Sequence, residues 1–264
     1  PEKGRAWCTV NRMPNRIPIL GVPIDGLTRA EVLRRCAAAL AGTRLLHVVT
    51  ANPELLLLAR SHPSYQRVLQ QADLVVPDGI GVLFAARLLG QRLPERIPGV
   101  ELLVELCRLA AKEGKRVYLL GGWSRVAAST AEVLRQRISG LDVQAFDPDH
   151  PAEKPPRELW EALRILRPVV LLVAYGAPMQ ERWIAEHRDA LEALGVRTAM
   201  GVGGAFDMLS GRFLRAPRWI RTFGLEWLWR FILEPRRFPR VVRSLPLFLL
   251  RLVIVRVRGR SLPS

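Results

Sequence analysis

The chain is poor in the features that mark several common protein classes. Its 264 residues hold three cysteines, Cys8, Cys36 and Cys107. They are too few and too scattered for a disulfide framework or a metal-ligand spacing, so free thiols in a reducing compartment are expected. No stretch approaches the ~20 uninterrupted apolar residues of a spanning helix, and the first residues carry no apolar run of signal-peptide type. A cytoplasmic protein is therefore expected. There is no G-x-G-x-x-G fingerprint and no acidic ribose partner at its usual spacing, which counts against a nicotinamide-dependent oxidoreductase. Internal repeats and low-complexity tracts are also lacking. Acidic residues are scarce near the end of the chain: residues 208–264 hold 13 Arg, no Lys and only Glu226 and Glu234, for a net +11 out of a total of +16. A basic surface of this size seeks polyanions, either nucleic acid or anionic lipid.

What is present reads as a globular α/β protein. Strand-like runs at Leu45–Thr50, Leu74–Val76, Arg116–Gly122, Leu141–Phe146, Pro168–Ala174 and Arg197–Gly201 alternate with helical segments. This alternation predicts a doubly wound, mainly parallel Rossmann-like sheet. Ile17–Asp25 reads as a short strand or hairpin, its prolines marking an edge. Thr28 and Glu31 form a capping box for a helix to about Ala41, packed through Val32, Leu33, Ala37 and Leu40. The expected organisation is a flexible segment 1–16, a core 17–213 and a basic, aromatic helical appendage 214–264.

In an open α/β sheet, ligands bind outside the carboxyl ends of the strands, so the residues at the strand tips are the candidate site. Asp78 follows Leu74-Val75-Val76-Pro77 and precedes Gly79-Ile80-Gly81. It reads either as a catalytic carboxylate or as a helix N-cap. Thr50 and Asn52 stand at a second tip. Arg96 lies in Pro94-Glu95-Arg96-Ile97-Pro98-Gly99, where flanking prolines stiffen the loop and aim the side chain. Gly121 and Gly122 end another strand in a turn that suits close approach of a phosphate or nucleotide. Gly176 opens the stretch in which Gln180 and Glu181 face the crevice, and Gly203, Gly204 and Asp207 follow the last strand. His47, on an apolar strand, reads as a satisfied core histidine. Asp147-Pro148-Asp149-His150 imitates a metal loop but reads as a proline-rich surface turn, so no metal and no other cofactor is expected.

Beyond Leu214 the character changes. Trp219, Phe223, Trp227 and Phe231 recur every four residues, a helical stripe, and Arg218, Arg221 and Arg230 lie among them. Tryptophan and arginine on helices too charged to span suit an interfacial segment on an anionic membrane. The alternative is a helical pair packed on the sheet with its arginines solvated. A nucleic-acid-binding module is a competing reading of the same composition, and the uncharged, glycine-rich strand tips argue against it.

Taken together and in order, Thr50-Ala51-Asn52-Pro53-Glu54, Ala72–Val82, Leu93–Gly99, Tyr118–Gly122, Gly176–Trp183, Gly201–Asp207, Arg215-Ala216-Pro217 and Gly224–Trp227 resemble the bacterial WecG/TagA/CpsF glycosyltransferases. The resemblance implies transfer, with inversion and without an obligatory metal, of an N-acetylmannosamine-type sugar. The donor would be a UDP-sugar and the acceptor a polyprenyl-diphosphate-linked N-acetylglucosamine. It implies Asp78 as general base, Thr50 and Asn52 on the sugar, Arg96 and Gln180 on the diphosphate, and the glycine loop ending at Asp207 on the nucleotide. It implies an enzyme peripheral to the inner face of the plasma membrane, docked through Arg218, Arg221, Arg230, Trp219 and Trp227. A homo-oligomer is compatible with all of this. Ala174-Tyr175-Gly176 replaces a frequent Gly-Leu-Gly, Met179 a frequent lysine, and Phe146–His150 a His-Gly-Tyr-Phe-like loop. UDP-glucose or another UDP-sugar is therefore the alternative donor.

Overall fold

Six apolar strands pair in parallel with helices on both faces, as the alternation of apolar runs predicts. The computed structural model describes residues 16–147 and 155–213, together with the single positions Pro217, Trp229 and Phe248. The expected appendage residues Arg218, Trp219, Arg221, Trp227 and Arg230 lie outside the described residues, as do residues 1–15, Asp149 and His150.

The chain opens with an antiparallel hairpin, β1 (Arg16–Ile19) and β2 (Val22–Asp25), followed by α1 (Arg29–Leu40). The Thr28 and Glu31 capping box forms as the sequence predicts, and α1 packs through Val32, Leu40 and the partly buried Leu33, with Cys36 and Ala39 buried in addition. Then come β3 (Leu46–Ala51), α2 (Pro53–Ser61), α3 (Pro63–Gln71), β4 (Leu74–Pro77), α4 (Ile80–Leu88) and α5 (Gly99–Lys112). The second half runs through β5 (Val117–Gly121), α6 (Val126–Arg137), β6 (Val143–Phe146), α7 (Arg157–Leu166), β7 (Val170–Ala174), α8 (Met179–Glu186), α9 (Arg188–Ala193), β8 (Thr198–Gly201) and α10 (Ala205–Leu209). The strand order is β4-β3-β8-β7-β5-β6, every pair parallel. All six carboxyl ends therefore share one edge.

Alternate residues along each strand serve opposite faces, as the pleat requires. Val48, Val76, Leu119, Leu172 and Met200 pack with α1, α5, α6 and α10. Val49 and Val75 pack with α2, α3, α4 and the hairpin, and Phe248 joins that cluster. Leu120, Leu171, Val173 and Ala199 pack with α7, α8 and α9. The edge strand β4 is covered by the hairpin: buried Asp25 accepts from the Val75 N–H at 2.7 Å and from Arg16 Nε at 2.8 Å, while Arg16 also donates to the Asp73 carbonyl at 2.7 Å. An open row of backbone donors is thereby closed against stray pairing, and Arg16, placed by sequence in a peripheral tail, is the half-buried first residue of β1. Cys36 and Cys107 are buried free thiols, each pushed up to about 12 by desolvation, so both are inert structural groups.

Candidate active site

At the β3 and β4 end, four short segments meet. The Asp78 N–H donates to the Ala51 carbonyl at 2.7 Å, locking the two strand tips together, and the Ile97 N–H donates to the Pro77 carbonyl at 2.8 Å. That second bond brings the Pro94–Gly99 loop over the tip of β4 and places Arg96 one residue from it. The loop then turns into α5 at Gly99. A Cβ at Gly99 would lie 3.0 Å from Thr50 Oγ1, a tight approach, and 3.5 Å from Asp78 Oδ2, an ordinary contact, so glycine here spares the Thr50 hydroxyl and keeps both groups over the start of α5. Close packing also explains Gly81, where a Cβ would lie 2.7 Å from the Pro53 ring.

The two readings of Asp78 separate here. Gly79 occupies the N-cap of α4 with φ +102°, and no side chain caps that helix. The Asp78 carboxylate instead accepts from the Gly99 N–H at 3.3 Å and stays partly exposed. Asn52 is the residue that caps: its Oδ1 accepts from the Leu55 N–H of α2 at 2.9 Å. One face of the Asn52 carboxamide is thus fixed by the helix, which orients the rest of the group beside Thr50.

Gln180 and Glu181 are placed differently from the sequence expectation. Gln180 is buried, and its Oε1 accepts from the Gly176 N–H at 3.1 Å and the Gly203 N–H at 2.9 Å. Its Nε2 donates to Glu181 Oε1 at 2.7 Å. The carboxamide therefore clasps the loops beyond β7 and β8. Gly201 is glycine because a Cβ there would lie 2.7 Å from Gln180 Nε2. Glu181 turns inward and accepts from the Tyr65 hydroxyl at 3.0 Å. Burial pushes its carboxyl above the usual range, opposed by hydrogen bonds from Gln180 and Tyr65. It faces α3 rather than the crevice. Tyr65 had no local signal: it lies 116 residues away in sequence.

The remaining tip residues line the same edge. Gly121 and Gly122 adopt φ +93° and +96°, and a Cβ on Gly121 would strike the Tyr175 ring at 2.7 Å. Gly176 is at φ +75° and Gly203 at φ +48°; Gly204 precedes α10, whose first turn carries Asp207. Trp160 and His187 stack on Trp183, Tyr175 meets the same ring edge-on, and the group holds α8 in place. Asp147, read from sequence as a surface turn, caps α6: its two carboxylate oxygens accept from the Ala127 N–H at 2.8 Å and the Ala128 N–H at 3.0 Å. The first turn of α6 is therefore already occupied by a carboxylate, which weakens the expectation of a phosphate at that turn. His47 is a core residue as expected, yet its Nε2 has no hydrogen-bond partner among the described residues. Burial, with a smaller contribution from Arg188, drops its pKa to about 3, so it is neutral.

The strand-tip edge carries a carboxylate and a hydroxyl at one end and glycine loops along the rest, which suits a ligand with a reactive end and an anionic middle. Residues 17–262 match the Glycosyl transferase WecG/TagA/CpsF family. The chain belongs to that family. It is 31% identical over 240 residues to the N-acetylglucosaminyldiphosphoundecaprenol N-acetyl-beta-D-mannosaminyltransferase of Staphylococcus aureus strain MRSA252, covering 90% of this chain and 92% of the relative. The protein of the same name from strain NCTC 8325 / PS 47 matches with the same identity and coverage. The chain is thus a glycosyltransferase of the WecG/TagA/CpsF type. No helix among the described residues is long and apolar enough to cross a membrane.

Proposed function

We propose that this glycosyltransferase moves an N-acetylmannosamine-type sugar from UDP to N-acetylglucosamine carried on a polyprenyl diphosphate, with inversion at the anomeric carbon. The relatives' name describes an N-acetylmannosaminyltransferase acting on an undecaprenyl-diphosphate-linked acceptor. The observation that carries the reading is the approach of Thr50 Oγ1 and Asp78 Oδ2 to Gly99 at a strand tip.

Asp78 takes the proton from the acceptor hydroxyl, whose oxygen forms a bond to the anomeric carbon as the bond from that carbon to the UDP oxygen breaks. UDP leaves with the bonding pair. Thr50, and Asn52 through the part of its carboxamide not bound to α2, hold the sugar. Arg96 stabilises the departing diphosphate, which lies over the glycine loops beyond β7 and β8. Gln180 is a positioning residue that sets those loops, and Asp207 completes the nucleotide side.

The acceptor's lipid requires the enzyme to work at the inner face of the plasma membrane. Two features support that location: the net charge of +16, and the exposed Ile80 and Phe84 one helical turn apart on α4, directly after Asp78. Trp and Arg residues of 214–264 supply further contact with anionic lipid.

The deciding experiment supplies the purified chain with UDP-N-acetylmannosamine and a lipid-diphosphate-linked N-acetylglucosamine and follows disaccharide-lipid formation by mass. Formation of a β-linked product is expected. Transfer only from another UDP-sugar would overturn the donor assignment, and transfer only to an acceptor without a lipid diphosphate would overturn the acceptor.

A further inference from the structure

The five residues from the last residue of β5 onward, Gly121–Arg125, hold an exposed tryptophan in an unusual way. Gly121, Gly122, Ser124 and Arg125 all have positive φ, at +93°, +96°, +54° and +61°. Two of them carry side chains, for which that region is strained. The Gly122 N–H donates to the Ala174 carbonyl at 3.1 Å, Gly121 sits against the Tyr175 ring, and Arg212 Nη1 donates to the Trp123 carbonyl at 3.2 Å. In the middle of this clamped turn, Trp123 is 58% exposed. A flexible loop would let so large an apolar ring fold inward; this one keeps it out.

The sheet order says what reaches it. β4 and β3 carry the reacting end of the crevice, β8 and β7 the glycine loops clasped by Gln180, and β5 lies next. Neighbouring strands are about 4.8 Å apart, so β5 stands roughly 19 Å from β4 across four steps. A UDP-sugar that puts its anomeric carbon at Asp78 and its diphosphate over β8 and β7 brings its nucleoside to β5. The Asp147 carboxylate occupies the first N–H groups of α6 beside that tip, an arrangement that disfavours a phosphate and leaves an uncharged ring unaffected.

We propose that Trp123 is the stacking platform for the uracil ring of the donor, making it a positioning residue that sets nucleotide affinity. The proposal rests on the UDP-sugar reading above. Stacking on an aromatic side chain needs no particular hydrogen-bond pattern, so it contributes affinity, while selection among bases falls to other groups.

The test is calorimetric titration of wild-type, Trp123→Ala and Trp123→Phe proteins with UDP and separately with inorganic pyrophosphate, alongside steady-state kinetics. Trp123→Ala should weaken UDP binding and raise the donor KM by about 10- to 100-fold, with kcat and pyrophosphate binding unchanged and Trp123→Phe largely restoring affinity. Equal UDP affinity in wild-type and Trp123→Ala would overturn the proposal, as would a parallel loss of pyrophosphate binding, which would place the effect on the phosphates or the fold. A wild-type protein that binds pyrophosphate and no UDP would overturn the donor reading itself, a result distinct from the other two.

Discussion

The Thr50 hydroxyl and the Asp78 carboxylate come from neighbouring strand tips and share the space above Gly99, the first residue of α5. Two parallel strands and the start of a third element thus fix one carboxylate and one hydroxyl at the same strand-tip edge. Replacing Asp78 by asparagine keeps an oxygen for the Gly99 N–H and removes the capacity to take a proton. Asp78→Asn should therefore lose turnover by about 10²- to 10⁴-fold with UDP affinity and melting temperature unchanged. Near-normal turnover would exclude Asp78 as the base, and loss of UDP binding would make it a structural turn residue.

Gln180 calls for a different signature. Its removal leaves the buried-side N–H groups of Gly176 and Gly203 and one oxygen of Glu181 without their present partner. Gln180→Ala should destabilise the fold by about 1–3 kcal/mol, seen as a melting-temperature drop of roughly 2–4 °C per kcal/mol. The donor KM should rise with it, because the loops lose their common anchor. A raised KM with unchanged melting temperature would instead mean that the carboxamide contacts the diphosphate itself.

The strands were legible because a sheet covered on both faces writes itself as short apolar runs, and the Thr28 and Glu31 cap because its partners are three residues apart. The missed elements have physical reasons. α3 follows α2 after the single residue His62, so one helical pattern masks the start of the next. α10 is five residues long inside a glycine run. At the site, the strand tips and their residue types were readable, and the direction each side chain takes was not. Whether Asp78 caps its own helix depends on where α5 begins, 21 residues later. Gln180 finds Gly203 23 residues on, and Asp147 caps a helix 20 residues back. Such pairings exist only after the sheet has formed.

Acid should expose the core histidine. The folded pKa of His47 is about 3 and its ordinary value 6.5, so between those limits the unfolded chain binds the extra proton. Stability contributed by the neutral ring is complete above about pH 6.5 and declines as pH falls toward 3, by roughly 1.4 kcal/mol per pH unit for one proton. His47→Gln should flatten the decline in denaturant-derived stability between pH 6.5 and pH 5 by about that slope. Parallel slopes for variant and wild type would show that His47 does not control acid sensitivity.

The basic end of the chain should hold the enzyme to anionic lipid through charge. Truncation is a poor test, because Phe248 is 1% exposed and belongs to the core cluster with the hairpin, α2, α3 and α4, so cutting it away would open the body. Neutralising Arg218, Arg221 and Arg230 together as glutamines removes charge and keeps the chain. Each arginine near an anionic surface contributes about 1 kcal/mol, so the triple variant should lose on the order of 100-fold in vesicle affinity. The wild-type affinity should itself fall steeply between low and physiological salt. Sedimentation with vesicles containing anionic lipid reads both. Transfer to a short-chain, water-soluble acceptor should survive in the variant, which separates docking from chemistry. Unchanged pelleting of the triple variant at every salt concentration would move the membrane contact to the exposed apolar pair Ile80 and Phe84.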